Sequence, residues 1–151
     1  MEITHLNEVI PGLYLGSVEA ISEKTYQTFH IRKVISIMGS KNELEEVSRW
    51  LEGSQVEHTC VLVRDNGRDP IEGYFEPLTN EIKSALERKV PTLVHCFAGV
   101  SRSATLVAAF LSSTQGWDYN QALEFLKTKR SVVDPCFGFV AKLAARFPKV
   151  C

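Results

Sequence analysis

Apolar and polar positions follow two different periods along the chain, and each period predicts a different kind of element. Short apolar runs predict buried strands, and they lie at residues 13–15, 34–38, 59–63 and 92–94. Longer stretches with apolar residues three or four positions apart predict helices. These stretches cover residues 17–29, 42–51, 71–86, 104–111, 118–126 and 140–147. Strands that alternate with helices in this way indicate an α/β layered fold.

Polar residues at the starts of three stretches predict helix N-caps. Ser17 precedes the first helical stretch, and a serine hydroxyl accepts a hydrogen bond from the free amides of a first turn. Asn42 and Glu45 have the spacing of a capping box, as do Asp118 and Gln121. The three helices are therefore expected to begin at these residues.

Composition indicates one globular domain. Hydrophobic residues make up 44% of the 151 residues and charged residues 23%, which are ordinary values for a globular protein. The chain has no repeat and no linker-like change of composition, so residues 1–151 are expected to form a single domain. The stretch 104–111 is apolar on all sides, which predicts a helix buried at the centre of the fold.

Charge and cysteine content narrow the partners and the compartment. A net charge of −1, with no long basic run, gives no reason to expect binding to nucleic acid or to a membrane surface. No apolar run has membrane-spanning length, and the first five residues lack the features of a secretion signal. The four cysteines, at positions 60, 96, 136 and 151, are too far apart for a zinc site or a disulfide framework. Reduced thiols and a cytoplasmic or nuclear location are expected.

The candidate chemistry lies between the apolar run 92–94 and the helical stretch that starts near residue 104. Cys96 ends the apolar run and Arg102 follows six residues later, so a nucleophile and a cation flank one short loop. Amide groups in a loop before a helix N-terminus bind anions, and the same field stabilises a thiolate. A nucleophilic sulfur in a phosphate-sized cradle indicates attack on a phosphate ester.

Each loop position has an expected part in this chemistry. The amides of Phe97, Ala98, Gly99, Val100 and Ser101 are expected to bind phosphate, with Gly99 allowing the tight turn. Arg102 is expected to clamp two phosphate oxygens, because a planar guanidinium offers two parallel donors. A cation at a helix start is otherwise unfavourable, which supports a functional reason for Arg102.

The loop resembles the signature of cysteine-dependent protein phosphatases, and its form from Ala98 to Ser103 is most similar to the dual-specificity branch. Weaker similarities cover residues 12–17, Asp65 with Tyr74 and Phe75, and Arg130, Pro135, Gly138, Phe139 and Leu143. The chain as a whole resembles a small atypical dual-specificity phosphatase. This resemblance implies a single-domain fold like that of protein tyrosine phosphatases, with a central mixed sheet flanked by helices on both sides.

The resemblance also implies an acid and a hydroxyl. Asp65 is expected to protonate the leaving oxygen, because it lies nine residues before Tyr74 as the family's acid does. Asp69 is the competing candidate, and turn formation is the alternative for both. Ser103 is expected near the sulfur, where its hydroxyl would stabilise the leaving thiolate.

Other residues near the motif carry expectations of their own. His95 is expected to point away from Cys96 and to position the loop by hydrogen bonding. Arg130 is interpreted as a cation at a helix C-terminus, with contact to a second phosphate as the alternative. Cys60 is interpreted as a buried apolar residue of its strand. Cys136 stands where relatives often carry asparagine, and capture of an oxidised Cys96 by another thiol remains a hypothesis.

The implied function is metal-independent hydrolysis of phosphotyrosine, and of phosphoserine and phosphothreonine, through a phosphocysteine without a cofactor. The variable loop positions carry no charge, which favours a phosphorylated protein over a highly anionic inositol lipid. Two alternatives stay open: a phosphatase for RNA 5′ ends or phospholipids, and a phosphoprotein-binding module with weak catalysis. The sequence leaves the oligomeric state and the physiological substrate open.

Overall fold

A five-stranded mixed sheet forms the middle layer of the computed structural model, which describes residues 5–150. Its strands are β1 (Leu6–Ile10), β2 (Leu13–Gly16), β3 (Lys33–Met38), β4 (Glu57–Leu62) and β5 (Thr92–His95). They lie in the order β1-β2-β5-β3-β4, in which β1 is antiparallel to β2 and every other neighbouring pair is parallel. The four parallel strands therefore end at one edge of the sheet, where α/β proteins usually bind ligands.

Helices cover both faces of this sheet. They are α1 (Glu23–Phe29), α2 (Lys41–Leu51), α3 (Phe75–Glu87), α4 (Arg102–Gln115), α5 (Tyr119–Lys129) and α6 (Phe137–Arg146). A smaller apolar cluster packs under α1 and α2, and a larger one lies between the sheet and the layer of α3 to α6. Among residues 5–150, none of the helices combines the length and hydropathy that a membrane span requires. The predicted α/β fold with a mixed sheet between two helical layers is confirmed.

Helix α4 lies at the centre, as its apolar sequence predicts. All residues from Arg102 to Ser112 are buried, so the helix has no solvent-facing side over its first three turns. Because β5 leads directly into this helix through residues 96–101, the loop is fixed at both ends by the most buried elements of the fold. Such anchoring limits the movement of the loop, which is what a preorganised site requires.

The prediction of one helix over residues 17–29 is wrong in its first part. The chain first makes a single 3₁₀ turn at Val18–Ala20, and the α-helix begins only at Glu23. Its N-cap is Ser22, whose side chain accepts a hydrogen bond from the Thr25 amide at 3.2 Å. Ser17 instead donates its own amide to the His5 carbonyl at 2.8 Å, so its backbone continues the pairing of β2.

The other two predicted caps have different outcomes. Helix α2 begins one residue before Asn42, and Ser40 is its N-cap, accepting from the Glu43 amide at 3.2 Å. The capping box at Asp118 is confirmed, since its carboxylate accepts from the Gln121 amide at 2.9 Å. The Gln121 side-chain oxygen in turn accepts a hydrogen bond from the Asp118 amide at 3.0 Å.

Cys60 is exposed, which corrects its interpretation as a buried apolar residue. It lies on the edge strand β4 and lines an open cleft of about 510 Å³ together with side chains of α2. The Ser48 hydroxyl of α2 is 3.8 Å from its sulfur. Cys96 and Cys136 also carry free thiols, and Cys151 lies outside the described residues.

Candidate active site

The loop from Cys96 to Ser101 joins the end of β5 to the start of α4, at the edge where the parallel strands end. Cys96 is 2% exposed, and its sulfur lies 3.1 Å from the hydroxyl oxygen of Ser103 in the first turn of α4. Ser103 is fully buried, so this hydroxyl stands in a dry environment. The structure thus places together the predicted nucleophile and the hydroxyl expected to stabilise it.

The carbonyl groups of residues 96–100 are all bound from outside the loop. The donors are His95 Nδ1 to Cys96 (3.0 Å), the Val18 amide to Phe97 (3.0 Å), Arg130 Nη2 to Ala98 (3.1 Å), Arg130 Nε to Gly99 (2.9 Å) and the Asp134 amide to Val100 (2.9 Å). In a trans peptide the carbonyl and the following amide point in opposite directions. The amides of residues 97–101 are consequently turned away from these donors and towards the inside of the loop. Successive inward amides form an anion-binding cradle.

Arg130 is the C-cap of α5, at a helix C-terminus as interpreted, and its guanidinium also holds the outer side of this cradle. The residue is 3% exposed, and its guanidinium binds two loop carbonyls as well as the side-chain oxygen of Asn7 at 2.9 Å. Burial lowers the pKa of Arg130, and the nearby Cys96 opposes that shift. The guanidinium therefore positions the loop backbone.

Gly99 is the one loop position where a side chain has no space. Its φ is +69°, a backbone conformation that residues with a Cβ rarely adopt. A Cβ there would also lie 2.6 Å from the carbonyl of Gly16 and 2.8 Å from Arg130 Nη2. The glycine lets the loop pack closely between β2 and the Arg130 guanidinium.

Arg102 is buried at the first position of α4, with 9% exposure. Its Nη1 donates to the Val63 carbonyl at 3.0 Å, just after the end of β4. Its Nε is buried without an acceptor among residues 5–150. An unpaired buried donor on a charged group is costly, so this atom points to an anionic ligand that would accept from it. The predicted phosphate clamp fits this arrangement.

The two candidate acids have different surroundings. Asp65 is exposed, and its Oδ1 accepts a hydrogen bond of 2.7 Å from the Ser101 hydroxyl at the end of the cradle. Asp69 accepts from the Arg64 amide and guanidinium and from the Asn66 side chain. The Arg64 guanidinium, its amide and Asn66 hold the pKa of Asp69 far below its usual range. Asp69 thus organises the turn, and only Asp65 contacts the cradle.

Ser101 and a pair of glycines hold in place the loop of residues 63–70, which carries Asp65 and is called the Asp65 loop. Besides donating to Asp65, the Ser101 hydroxyl accepts from the Cys136 amide at 3.0 Å. Gly67 and Gly138 pack backbone against backbone, and a Cβ on Gly138 would lie 2.6 Å from the Gly67 Cα. The Asp65 loop is therefore fixed against the start of α6 as well as against the cradle.

His95 ends a buried chain of hydrogen bonds across three strands. Its Nδ1 donates to the Cys96 carbonyl, and its Nε2 lies 2.6 Å from the hydroxyl oxygen of Ser36. The same hydroxyl lies 2.8 Å from His58 Nε2. Burial lowers the pKa of His95 to about 4, so the ring is neutral near pH 7 and its Nε2 accepts from Ser36. His95 positions the loop, as the strand alternation predicts.

We expect the Ser36→Ala variant to weaken this chain. Loss of the hydroxyl leaves the buried Nε2 of His95 without its donor, which should lower the free energy of unfolding by about 1–3 kcal/mol. We also expect kcat to fall by several-fold while KM changes less, because the loop carbonyl held by His95 loosens. Urea denaturation and steady-state kinetics would test both effects. Ser48→Ala is the matched control, because within residues 5–150 the Ser48 hydroxyl makes a single long contact; equal effects of the two variants would contradict the role of Ser36.

Sequence reasoning missed three features of the site. Ser36 gives no local signal, because a serine inside an apolar strand run resembles an ordinary small residue. Ser101 was expected to contribute only its backbone amide, although its side-chain hydroxyl joins Asp65 to the cradle. The Val63 carbonyl, which accepts a hydrogen bond from Arg102, belongs to a segment 39 positions earlier in the sequence. Among residues 5–150, no three His, Cys, Asp or Glu side chains are grouped so as to hold a metal ion.

Comparisons with known proteins agree with this geometry. The family model described as "Dual specificity phosphatase, catalytic domain" matches residues 13–147. The dual specificity protein phosphatase 1 of Arabidopsis thaliana is 36% identical over 87% of this chain and 64% of its own length. The chain spans between a third and two thirds of the length of the curated relatives it matches.

Solved structures give the same picture. The crystal structure of DUSP15 is 30% identical, has a TM-score of 0.82, and is matched over 93% of this chain and 85% of that one. The human tyrosine phosphatase-like serine/threonine/tyrosine-interacting protein is 26% identical with a TM-score of 0.83, over 93% of this chain and 94% of that one. The architecture described above is therefore shared with both proteins.

Proposed function

The chain belongs to the dual specificity phosphatase family, and from this premise we propose that it is a metal-independent phosphoprotein phosphatase. Its substrates are phosphotyrosine and also phosphoserine and phosphothreonine residues. The observation that carries the proposal is the ring of five outward-bound carbonyls, which leaves five amides facing a buried cysteine sulfur. Such a cradle suits the oxygens of a phosphate ester.

The first chemical step transfers the phosphoryl group to the protein. The Cys96 thiolate attacks phosphorus, a sulfur–phosphorus bond forms, and the bond from phosphorus to the substrate oxygen breaks. Asp65 gives its proton to that oxygen, so that a neutral phenol or alcohol leaves. The inward amides and Arg102 stabilise the charge on the equatorial oxygens, which is usually the largest catalytic contribution.

The second step releases phosphate. The Asp65 carboxylate takes a proton from a water molecule, whose oxygen attacks phosphorus. The sulfur–phosphorus bond breaks and its electron pair returns to Cys96, where the Ser103 hydroxyl, 3.1 Å away, donates to the departing sulfur. Inorganic phosphate then leaves, and the thiolate is ready for another substrate.

A phosphorylated protein is the substrate class that the site favours. The four variable positions of the loop (Phe97, Ala98, Val100 and Ser101) carry no basic side chain for the extra phosphates of an inositol lipid. The alternative of a binding module with dead catalysis gains support only from the structural likeness to a phosphatase-like interacting protein. Against that alternative, Cys96, Arg102 and Asp65 are all present and lie around one cradle.

The compartment that fits this chemistry is a reducing one, either cytoplasm or nucleus. The mechanism needs a free thiolate at Cys96, and the thiols of Cys60 and Cys136 are free as well. A reducing environment keeps such thiols unpaired.

Turnover in the presence of a chelator tests the proposal. The reduced protein is assayed with an aryl phosphate and with peptides that carry phosphotyrosine, phosphoserine or phosphothreonine, all in excess EDTA. We expect phosphate release from the aryl ester and from at least the phosphotyrosine peptide. Turnover that disappears in EDTA and returns with added metal would contradict metal independence. Absence of turnover in every condition would favour the binding module.

A further inference from the structure

A second cavity adjoins the catalytic cradle on the side of β2. It has a volume of about 620 Å³ and is lined by His5, Ser17, Val18, Glu19, Phe97 and Ala98, with Arg130 at its inner wall. We call it the side cleft. Two of its lining residues, Phe97 and Ala98, belong to the cradle itself. A ligand whose phosphate lies in the cradle therefore has its neighbouring groups within reach of the side cleft.

The outer wall of the side cleft is apolar and open. The Phe97 side chain is 60% exposed, although aromatic side chains usually bury most of their surface. Ala98 is exposed and Val18 is partly exposed beside it. Exposed apolar side chains grouped in a concave surface favour an apolar ligand group, because both surfaces leave water when they meet.

The charges of the side cleft disfavour a second phosphate. The three guanidinium nitrogens of Arg130 donate to the Ala98 and Gly99 carbonyls and to Asn7, and the residue is 3% exposed. In contrast, the Glu19 side chain is 69% exposed at the rim, with the His5 ring 3.7 Å away. A phosphate in this cleft would meet the exposed Glu19 carboxylate, and the Arg130 guanidinium on its wall is already bound on the loop side.

We propose that the side cleft is a specificity site that binds an apolar side chain next to the phosphorylated residue and rejects a second phosphorylated residue. This inference rests on the proposed function, since it assumes a phosphopeptide substrate. It gives Glu19 and Val18 parts in substrate choice although neither contacts the reacting phosphate. The acidic rim also favours a basic residue close to the apolar one.

Binding to the Cys96→Ser variant of the 151-residue chain tests this inference without turnover. The probes are phosphotyrosine peptides that differ only in the residue before or after the phosphotyrosine: leucine, alanine or phosphothreonine. We expect leucine on one side to bind about threefold to tenfold more tightly than alanine, through buried apolar area. We expect the doubly phosphorylated peptide to bind no more tightly than the alanine peptide. All peptides are assayed at the same pH, about 8.

Two further substitutions in the same background locate the preference. Glu19→Lys should raise affinity for the doubly phosphorylated peptide about threefold to fivefold, the size expected for an exposed ion pair. Glu46→Lys makes the same charge change on the exposed face of α2, on the opposite sheet face from α4, and should not alter the ranking. Val18→Ala should reduce the preference for leucine over alanine.

Three results would overturn the inference. The first is equal affinity for all peptides. The second is a preference of the Cys96→Ser protein, with Glu19 unchanged, for the doubly phosphorylated peptide. The third is an equal effect of Glu19→Lys and Glu46→Lys. Turnover of the same peptides by wild-type protein is measured separately. Turnover without any ranking contradicts the side cleft alone, and ranking without turnover contradicts the proposed phosphatase function alone. Failure of every peptide to bind contradicts both.

Discussion

Turnover should fall by at least about 10⁴-fold when Cys96 is replaced by serine, because loss of a nucleophile removes a whole covalent pathway. A serine hydroxyl is a much weaker nucleophile than a cysteine sulfur unless a neighbouring base activates it. Its only described hydrogen-bonding neighbour at 3.1 Å is the Ser103 hydroxyl, which is no base. Phosphate binding should persist, since the amides and Arg102 are unchanged. Hydrolysis of an aryl phosphate and binding of a phosphopeptide measure the two effects.

Two other cysteines provide matched controls for this prediction. Cys60 is exposed on β4, and Cys136 is half-buried at the N-cap of α6. Cys60→Ser and Cys136→Ser make the same chemical change outside the cradle. We expect both to keep turnover within about threefold of the wild type, as for most substitutions away from the chemistry. A Cys96→Ser protein that is folded and turns over at the wild-type rate would disprove the proposed nucleophile.

Replacement of Asp65 by asparagine should lower kcat about 10²-fold to 10³-fold on substrates with poor leaving groups. The serine oxygen of a phosphoserine peptide leaves phosphorus as an alkoxide unless it receives a proton. The phenolate of an activated aryl phosphate leaves readily without one. The loss should therefore be much smaller on para-nitrophenyl phosphate than on phosphoserine. Such dependence on the leaving group identifies a general acid, because a merely structural change would slow both substrates alike.

Asp69→Asn separates the two acidic residues of the loop. This substitution removes the ion pair of Asp69 with Arg64, whose nitrogen is 3.0 Å from the carboxylate. Because the pKa of Asp69 is lowered in the folded state, its contribution to stability is present near neutral pH and disappears in acid. We expect a lower denaturation midpoint at pH 7 than in the wild type, and kinetics without leaving-group dependence. The reverse pattern, with the larger leaving-group effect at Asp69, would reassign the acid.

The elements that sequence predicts well are those whose signals lie within a few residues. The capping box at Asp118 and the apolar helix after Arg102 are of this kind, and both form as expected. The predicted N-caps Ser17 and Asn42 are wrong because a nearby serine caps the helix instead. These serines are Ser22 and Ser40. Strand β1 was not predicted, because its residues alternate only weakly and it is stabilised by antiparallel pairing with β2.

The sequence predicts the residues of the site that carry the chemistry, and it does not predict the residues that hold them in place. Cys96, Arg102 and Ser103 lie within one motif, so a single stretch of sequence brings them to notice. The groups that hold them come from distant segments. Ser101 meets an acid 36 positions earlier, and Arg130 meets Gly99 across 31 positions. Such contacts depend on how helices and strands pack, and local patterns of polar and apolar residues do not contain that information.

The bond between Arg130 and Asn7 also has a consequence for when the protein becomes competent during folding. It joins residues 123 positions apart in a chain of 151. Contacts of such long separation carry the largest loop-closure entropy and form late on the folding pathway. A partly folded or nascent chain therefore has its cysteine before it has a rigid cradle. Fraying of edge strand β1 in a folded molecule would break only the Asn7 bond of this guanidinium, which keeps the Ala98 and Gly99 carbonyls, so local opening at one border of the sheet would loosen the cradle without global unfolding.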